Sequence, residues 1–165
     1  MREKWDIRRG WLKIHIAVDE ETKEIVSLEI TDESVSDGDK FRDIVEESGR
    51  NSGMILKVHG DGAYDTKDNF NILEEDEIES GIKTRKNATT GAKGSPYRAK
   101  CVRERNKLGY KAWADWNNYG KRWSVEGVFS AVKRIFGESV RANSTKGMMR
   151  EAELKFLFYN VLLKA

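Results

Sequence analysis

Two carboxylates, those of Asp61 and Glu126, stand in sequence surroundings that suit the binding of a ligand. Glu126 lies in a predicted helix that is otherwise basic and half apolar. At 3.6 residues per turn, Arg122, Glu126 and Lys133 project from nearly one face of that helix. A separate apolar face contains Trp123, Val128 and Val132. The alternative is an ordinary surface helix, in which Arg122 and Glu126 form an ion pair worth about 0.3 kcal/mol.

Asp61 follows an apolar run at residues 54–58, which predicts a β-strand that ends just before it. The flanking residues Gly60 and Gly62 permit a tight turn and a close approach of the backbone to a ligand. A carboxylate at the C-terminal end of a strand is well placed for binding. The alternative is an Asp-Gly turn that has no chemical role.

Hydrophobic periodicity predicts the elements that must position these carboxylates. Alternation on either side of a turn at 19–23 predicts a β-hairpin, with Asp19 as a turn former. Further strands are predicted at 54–58 and 79–84, and helices at 36–49, 66–75, 122–136 and 150–163. Asp65 is expected to cap the second helix. The last helix is predicted to be amphipathic, with an apolar face that contains Leu154, Phe158, Val161 and Leu162.

Length and composition restrict the class of protein. A chain of 165 residues is large enough for one domain with a core. It contains no run of about 18 apolar residues and no apolar signal-peptide core near Met1, so we expect a cytoplasmic protein with no membrane contact. The single cysteine, Cys101, excludes a disulfide framework.

His15 is expected to be a strand histidine whose ring has a hydrogen-bond partner within the protein. His59 lies two residues before Asp61 and could contact substrate, but it is a poor metal site without a second imidazole.

The net charge of +2 conceals a strong segregation of charge. Between residues 19 and 47, twelve acidic residues accompany three basic ones. Between residues 83 and 111, ten basic residues accompany one acid, Glu104, and aromatic residues are interspersed. Such a block can neutralise phosphates and stack on bases, although a solvated basic loop is the alternative. We therefore predict a basic loop insertion at about 85–116, with a helix at 97–108, and nucleic-acid contacts from Lys100, Arg103 and Arg105.

Two motifs resemble a known family. The spacing Tyr-x2-Arg-x3-Glu-x6-Lys, carried by Tyr119, Arg122, Glu126 and Lys133, resembles the signature of DDE-class insertion-sequence transposases, the type named for insertion sequences four and five. The segment from Asp61 to Asp65 resembles the family's strand-end Asp-x-x-Tyr-Asp. The resemblance implies an α/β fold of the ribonuclease-H-like type, with a mixed sheet flanked by helices, and spans residues 1–165 as a single partial catalytic domain.

The resemblance also implies an activity and roles for these residues. The activity is metal-dependent DNA strand cleavage and transfer, with two Mg²⁺ or Mn²⁺ ions in a complete site. Asp61 and Glu126 would be catalytic and would each hold one ion, and we expect their carboxylates to lie close together. Arg122 would orient Glu126 or hold a phosphate, Lys133 would contact the DNA backbone, and Tyr119 would stack on a base or pack beneath the helix. The insertion is expected to lie beside the acid pair as a positive wall.

One part of the family's domain has no counterpart in this sequence. The family's first catalytic aspartate lies on a central strand that pairs with both the hairpin and the strand ending at Asp61. Residues 1–10 do not predict an apolar strand with an aspartate, because Asp6 runs directly into Arg8 and Arg9. We therefore expect a C-terminal catalytic fragment that is inactive and weakly folded alone. Its expected partners are DNA, an upstream transposase segment or full-length transposase, and further copies once the domain is complete. The alternative is a non-catalytic nucleic-acid-binding remnant.

Overall fold

A computed structural model describes residues 3–7 and 10–165, with side chains described from Leu12 onward. The chain divides into two compact units. One unit consists of Met1–Gly53 together with Trp123–Ala165, and the other of Met54–Arg122. The sequence predicts one domain and indicates neither of these boundaries. Each unit has its own sheet and its own helices.

The elements are as follows. The strands are β1 (Glu3–Ile7), β2 (Gly10–Val18), β3 (Ile25–Asp32), β4 (Lys57–Gly60) and β5 (Glu79–Ile82). The helices are α1 (Phe41–Ser52), α2 (Lys67–Glu75), α3 (Pro96–Leu108), α4 (Tyr110–Trp116), α5 (Trp123–Phe136) and α6 (Thr145–Leu163). Short 3-10 turns occur at Gly38–Lys40, Gly62–Tyr64 and Tyr119–Arg122. This mixture of helices and small sheets confirms the predicted α/β class.

The sheet of the first unit is antiparallel, in the order β1-β2-β3. Its β2–β3 connection confirms the predicted hairpin. Asp19 forms the turn, because its Oδ1 accepts hydrogen bonds from the amides of Glu21 (2.9 Å) and Thr22 (2.7 Å). These bonds agree with the predicted role of Asp19 as a turn former.

β1 corrects one prediction. The sequence predicts no strand within residues 1–10, yet Glu3–Ile7 pairs with Gly10–Ile14 of β2, with Glu3 opposite Ile14 and Asp6 opposite Trp11. Pairing with an established neighbouring strand outweighs a weak local preference, since strand propensity depends strongly on context. Arg8 and Arg9, which we expected to interrupt any strand, lie outside the described residues.

The core of the first unit lies between one face of its sheet and two helices. Leu12, Ile14 and Ile16 alternate along β2 and share this core with α5 and α6. The residues from those helices are Val128, Phe129, Val132, Met148, Ala152, Phe156 and Tyr159. The opposite face of the sheet packs on α1 and contains His15, whose Nε2 lies 3.0 Å from Thr31 Oγ1. His15 is therefore a buried strand histidine with a structural partner, as predicted.

α6 presents the opposite face from the one predicted. It begins at Thr145 rather than Arg150, and its buried residues are Met148, Ala152, Phe156 and Tyr159. The residues that we expected on its apolar face are 36–60% exposed: Leu154, Phe158, Val161 and Leu162. Both faces of the helix are rich in apolar residues, so hydrophobic spacing alone identified the wrong side.

In the second unit, β4 and β5 form a separate parallel pair, with Lys57 opposite Glu79 and Gly60 opposite Ile82. Phe70 and Leu73 of α2 are fully buried. The segment predicted as a loop insertion at 85–116 is largely helical, because α3 and α4 lie within it. The predicted helix at 97–108 is thus confirmed as α3. Across the described ranges, no helix combines the length and apolar character needed to cross a membrane.

Candidate active site

Asp61 lies directly after β4, where the chain leaves the strand and enters the 3-10 turn Gly62–Tyr64. It caps this turn, because its Oδ1 accepts a hydrogen bond from the Ala63 amide at 2.8 Å. The turn is close-packed, since a Cβ added to Gly60 would lie 3.2 Å from Tyr64 Cδ2 and 3.3 Å from Ile82 Cγ1. Asp61 is partly exposed. The sequence therefore correctly predicted a carboxylate displayed at the end of a strand.

Asp65 has a different role from the one predicted. Thr66 caps α2 instead, because its Oγ1 accepts a hydrogen bond from the Asn69 amide at 3.1 Å. The Asp65 side chain is fully buried and forms an ion pair with Arg98, whose Nε and Nη2 donate to the two carboxylate oxygens at 2.7 and 3.0 Å. The Arg85 amide also donates to Asp65 Oδ2, at 2.8 Å. This ion pair was not predicted, and no spacing rule connects residues so far apart in sequence.

His59 lies two residues before Asp61 and opposite Gly81 in the β4–β5 register. A Cβ added to Gly81 would lie 2.5 Å from His59 Nδ1, so glycine at position 81 is what leaves room for the imidazole. Substrate contact by His59 stays a prediction.

Glu126 and Lys133 lie on α5, in the first unit. Glu126 is in the first turn of the helix and Lys133 is in the last, and both are partly buried. Each charge opposes the partial charge at its end of the helix, which favours the helix by about 0.3–1 kcal/mol per residue. The predicted apolar face is correct for Val128 and Val132, whereas Trp123 is 64% exposed.

Tyr119 and Arg122 lie in the 3-10 turn that ends the second unit. Tyr119 is buried, with its ring centroid 5.2 Å from that of Trp113, and burial raises the pKa of its hydroxyl. The Arg122 guanidinium lies over the Tyr119 ring, at 5.4 Å from the centroid. The structure therefore favours the packing role for Tyr119 over base stacking.

The three basic residues predicted to contact DNA have different environments. Lys100 and Arg103 are exposed on α3, and Arg103 donates one hydrogen bond, to the Thr90 carbonyl at 3.0 Å. Arg105 is buried. Its Nη1 donates to the carbonyls of Thr84 (2.7 Å) and Arg85 (3.0 Å) and to Thr84 Oγ1 (3.1 Å). The guanidinium of Arg105 is thus engaged within the protein, and contact between Arg105 and DNA stays a prediction.

Asp61 belongs to the second unit, whereas Glu126 belongs to the first. Their predicted proximity stays a prediction, as does the position of the insertion beside them. In the part of the chain that the structure describes, no group of three or more His, Cys, Asp or Glu residues could hold a metal ion. Asp61 nevertheless offers a partly exposed carboxylate, the type of ligand that Mg²⁺ and Mn²⁺ prefer.

Comparison with known families identifies the class. The model of the transposase DDE domain matches residues 2–161, which is nearly the whole chain. The chain therefore belongs to the DDE transposase family, as the Asp61 and Glu126 motifs predicted. No solved structure gives a significant match to the chain.

Proposed function

We propose that this chain is the C-terminal catalytic part of a DNA transposase, which cleaves and transfers DNA strands in the movement of an insertion sequence. Family membership over residues 2–161 carries this proposal. Asp61 supports it, because its carboxylate is displayed at the end of β4 in a turn that the surrounding residues hold closely.

Asp61 and Glu126 are the proposed metal ligands, and the fold proposed for the two units together is ribonuclease-H-like. When bound, two Mg²⁺ or Mn²⁺ ions would activate the attacking oxygen and stabilise the leaving one. Arg122 is proposed to orient Glu126 or to hold a phosphate, since an arginine can make two parallel bonds to either group.

DNA is the proposed partner of the exposed cations. Lys100 and Arg103 project from α3 into solvent, and Lys133 is partly exposed on α5. Tyr119 and Arg105 are buried, so we propose that they support the neighbouring DNA-contacting residues by packing and hydrogen bonding.

A third carboxylate is proposed to come from an upstream segment or from full-length transposase. In the family's arrangement, one strand carries the first aspartate and pairs with both the hairpin and the strand that ends at the second aspartate. In the described residues β4 belongs to a separate sheet, and β2 is already paired on both edges, by β1 and by β3. A supplied strand would therefore take the place of β1 beside β2. Assembly into a homo-oligomer is proposed for the completed domain.

The experiment compares Mn²⁺-dependent cleavage of a DNA substrate by the purified chain with and without an added segment that supplies such a strand. We expect no cleavage by the chain alone and cleavage after complementation. Asp61→Asn and Glu126→Gln should each abolish the complemented activity, because each removes a metal ligand. Glu138→Gln, which changes an exposed acid just beyond α5, is the matched control and should retain activity.

Two other outcomes would contradict parts of the proposal. Cleavage by the chain alone that is lost on Glu126→Gln would show that residues 1–165 already contain a third carboxylate, and Asp6 on β1 would be the first candidate. DNA binding without cleavage, with or without complementation, would instead support the non-catalytic remnant.

A further inference from the structure

The carboxylate of Asp65 is the most completely enclosed acid in the turn that follows β4. Its side chain has no solvent exposure, and that of Arg98 is 14% exposed. Removing two charges from water is costly unless the geometry is excellent and the remaining lone pairs are bonded. Here the geometry is paired and both carboxylate oxygens are bonded, since Arg98 donates to each oxygen and the Arg85 amide donates to Oδ2 as well.

The same turn is held at several other points. The Lys83 amide donates to the Gly60 carbonyl at 3.0 Å, which extends the β4–β5 pairing up to Asp61. The Asn69 side chain donates to the Tyr64 carbonyl, also at 3.0 Å. In the segment 60–65, each residue is therefore either hydrogen-bonded to another part of the second unit or next in sequence to a residue that is hydrogen-bonded in this way.

Arg105 extends this network from a second position on α3. It is two turns of helix beyond Arg98 and bonds the segment at Thr84 and Arg85. Arg85 in turn provides the amide that bonds Asp65. α3 therefore reaches the turn directly through Arg98 and indirectly through Arg105. These two members of the basic block act inside the protein, whereas Lys100 and Arg103 between them face solvent.

We propose that Asp65 and Arg98 are positioning residues for Asp61. They fix the position of Asp61 through residues 62–65, the turn that connects Asp61 to Asp65. Within the described residues, the hydrogen bond from the Ala63 amide is the one bond that holds the Asp61 carboxylate, so its direction depends on the backbone of residues 62–65. The Asp65–Arg98 pair immobilises the far end of that backbone, and α3 thereby determines where the Asp61 carboxylate points. The catalytic importance of this positioning rests on the proposed function, in which Asp61 is catalytic. The restraint on the turn does not depend on that function.

The test follows hydrogen exchange of the Ala63 amide by NMR in the ¹⁵N-labelled full chain at a fixed pH. Because this amide donates to Asp61 Oδ1, its exchange should be slow for as long as the turn holds the carboxylate in place. Asp61→Ala removes the acceptor and should give fast exchange, which identifies the source of the protection. Neither DNA nor metal is present, so this measurement is independent of catalysis.

Arg98→Lys keeps the charge but loses the paired bonds, and Asp65→Glu keeps both charges but moves the carboxylate by one methylene. Each should speed hydrogen exchange of the Ala63 amide at least about ten-fold in protein that circular dichroism shows to be folded. Lys107→Met, which removes an exposed charge from the same helix, should leave this exchange rate unchanged. An unchanged exchange rate of the Ala63 amide in both folded variants would overturn the proposal.

A second arm separates this inference from the proposed function. In the complemented cleavage assay, Arg98→Lys should lower kcat at least about ten-fold while the affinity for DNA is retained, because the pair acts through Asp61 rather than on DNA. If Asp61→Asn were fully active, both the proposed function and the catalytic role of the Asp65–Arg98 pair would be refuted. Full activity of Arg98→Lys, with Asp61→Asn inactive, would refute the positioning role alone.

Discussion

Asp61 and Asp65 are four residues apart in one turn, yet their carboxylates have opposite surroundings. Asp61 is partly exposed and accepts one hydrogen bond, from the Ala63 amide. Asp65 is fully enclosed and is neutralised by Arg98. An open carboxylate can bind an incoming cation, whereas an enclosed one that is already paired stabilises the fold. The second aspartate of the motif therefore has a structural role that is distinct from that of the first.

His15 makes the stability of the first unit sensitive to pH. It is 1% exposed, and burial lowers its pKa below the usual 6.5, although Asp37 at 3.7 Å opposes part of this effect. Lys13 also lowers the pKa of His15, whereas Glu29 raises it. A neutral His15 in the folded state and a protonatable one in the unfolded state favour unfolding as the pH falls through 6.5.

We expect the free energy of unfolding to decrease on acidification below about pH 6.5, with a contribution from His15 of at most about 1.4 kcal/mol per pH unit. This loss should end once the pH passes below the folded-state pKa. Urea unfolding at a series of pH values measures it. His15→Gln should flatten the dependence. The same slope in His15→Gln as in the wild type would contradict this assignment.

At the scale of elements, α6 shows how two apolar faces on one helix obscure the direction of the core. Phe156 is fully buried, with its ring 5.6 Å from that of Phe129, whereas Phe158 is 53% exposed. The two residues are separated by only one position, so they lie on different sides of the helix. Packing against the sheet decides which side is buried, and the spacing of apolar residues does not.

Phe156→Ala should therefore destabilise the first unit by about 3–5 kcal/mol, because it leaves a cavity in the core. Phe158→Ala removes the same atoms from a half-exposed position and should cost less than about 1 kcal/mol. Chemical denaturation of both variants provides the comparison. Equal losses of stability, or a larger loss for Phe158→Ala, would mean that α6 packs through its other face.

Most elements were predictable because they depend on local patterns. The β2–β3 hairpin, α1, α2 and α5 follow from periodicity, and α3 begins where Ser95 and Pro96 provide a helix start. β1 was not predictable, since its pairing with β2 provides what its own sequence lacks. At the candidate site, Asp61 was recognisable from its flanking glycines. The Asp65–Arg98 pair was not, because an ion pair between distant segments leaves no periodic signal.

At the scale of the whole molecule, the basic segment has two kinds of arginine. Arg98 and Arg105 are engaged within the second unit, and Arg103 is exposed. A count of charges in the sequence treats all of them as available to DNA. The number of cations that DNA can contact in this segment is therefore smaller than the sequence alone suggests.

The double variant Lys100→Gln/Arg103→Gln should weaken the salt dependence of DNA binding without unfolding the protein. If each cation neutralises one phosphate, the slope of log Kd against log salt should fall by up to about 1.8. Binding titrations at several salt concentrations measure this slope. Arg50→Gln/Lys146→Gln removes the same two charge types from exposed positions of the first unit and should leave it unchanged. An unaltered slope in the first variant would show that Lys100 and Arg103 are merely solvated.

The two inward-facing arginines of α3 also matter to anyone who wishes to retarget this protein to another DNA sequence. Exchanging the whole segment 85–116 for one without arginine at positions 98 and 105 would remove these two residues together with the outer cations. A chimera made in that way would lose the restraint on the turn that carries Asp61 before any new preference could be tested. Replacing only the exposed cations of the segment, with Arg98 and Arg105 retained, would change the contacts with DNA without changing the position of Asp61.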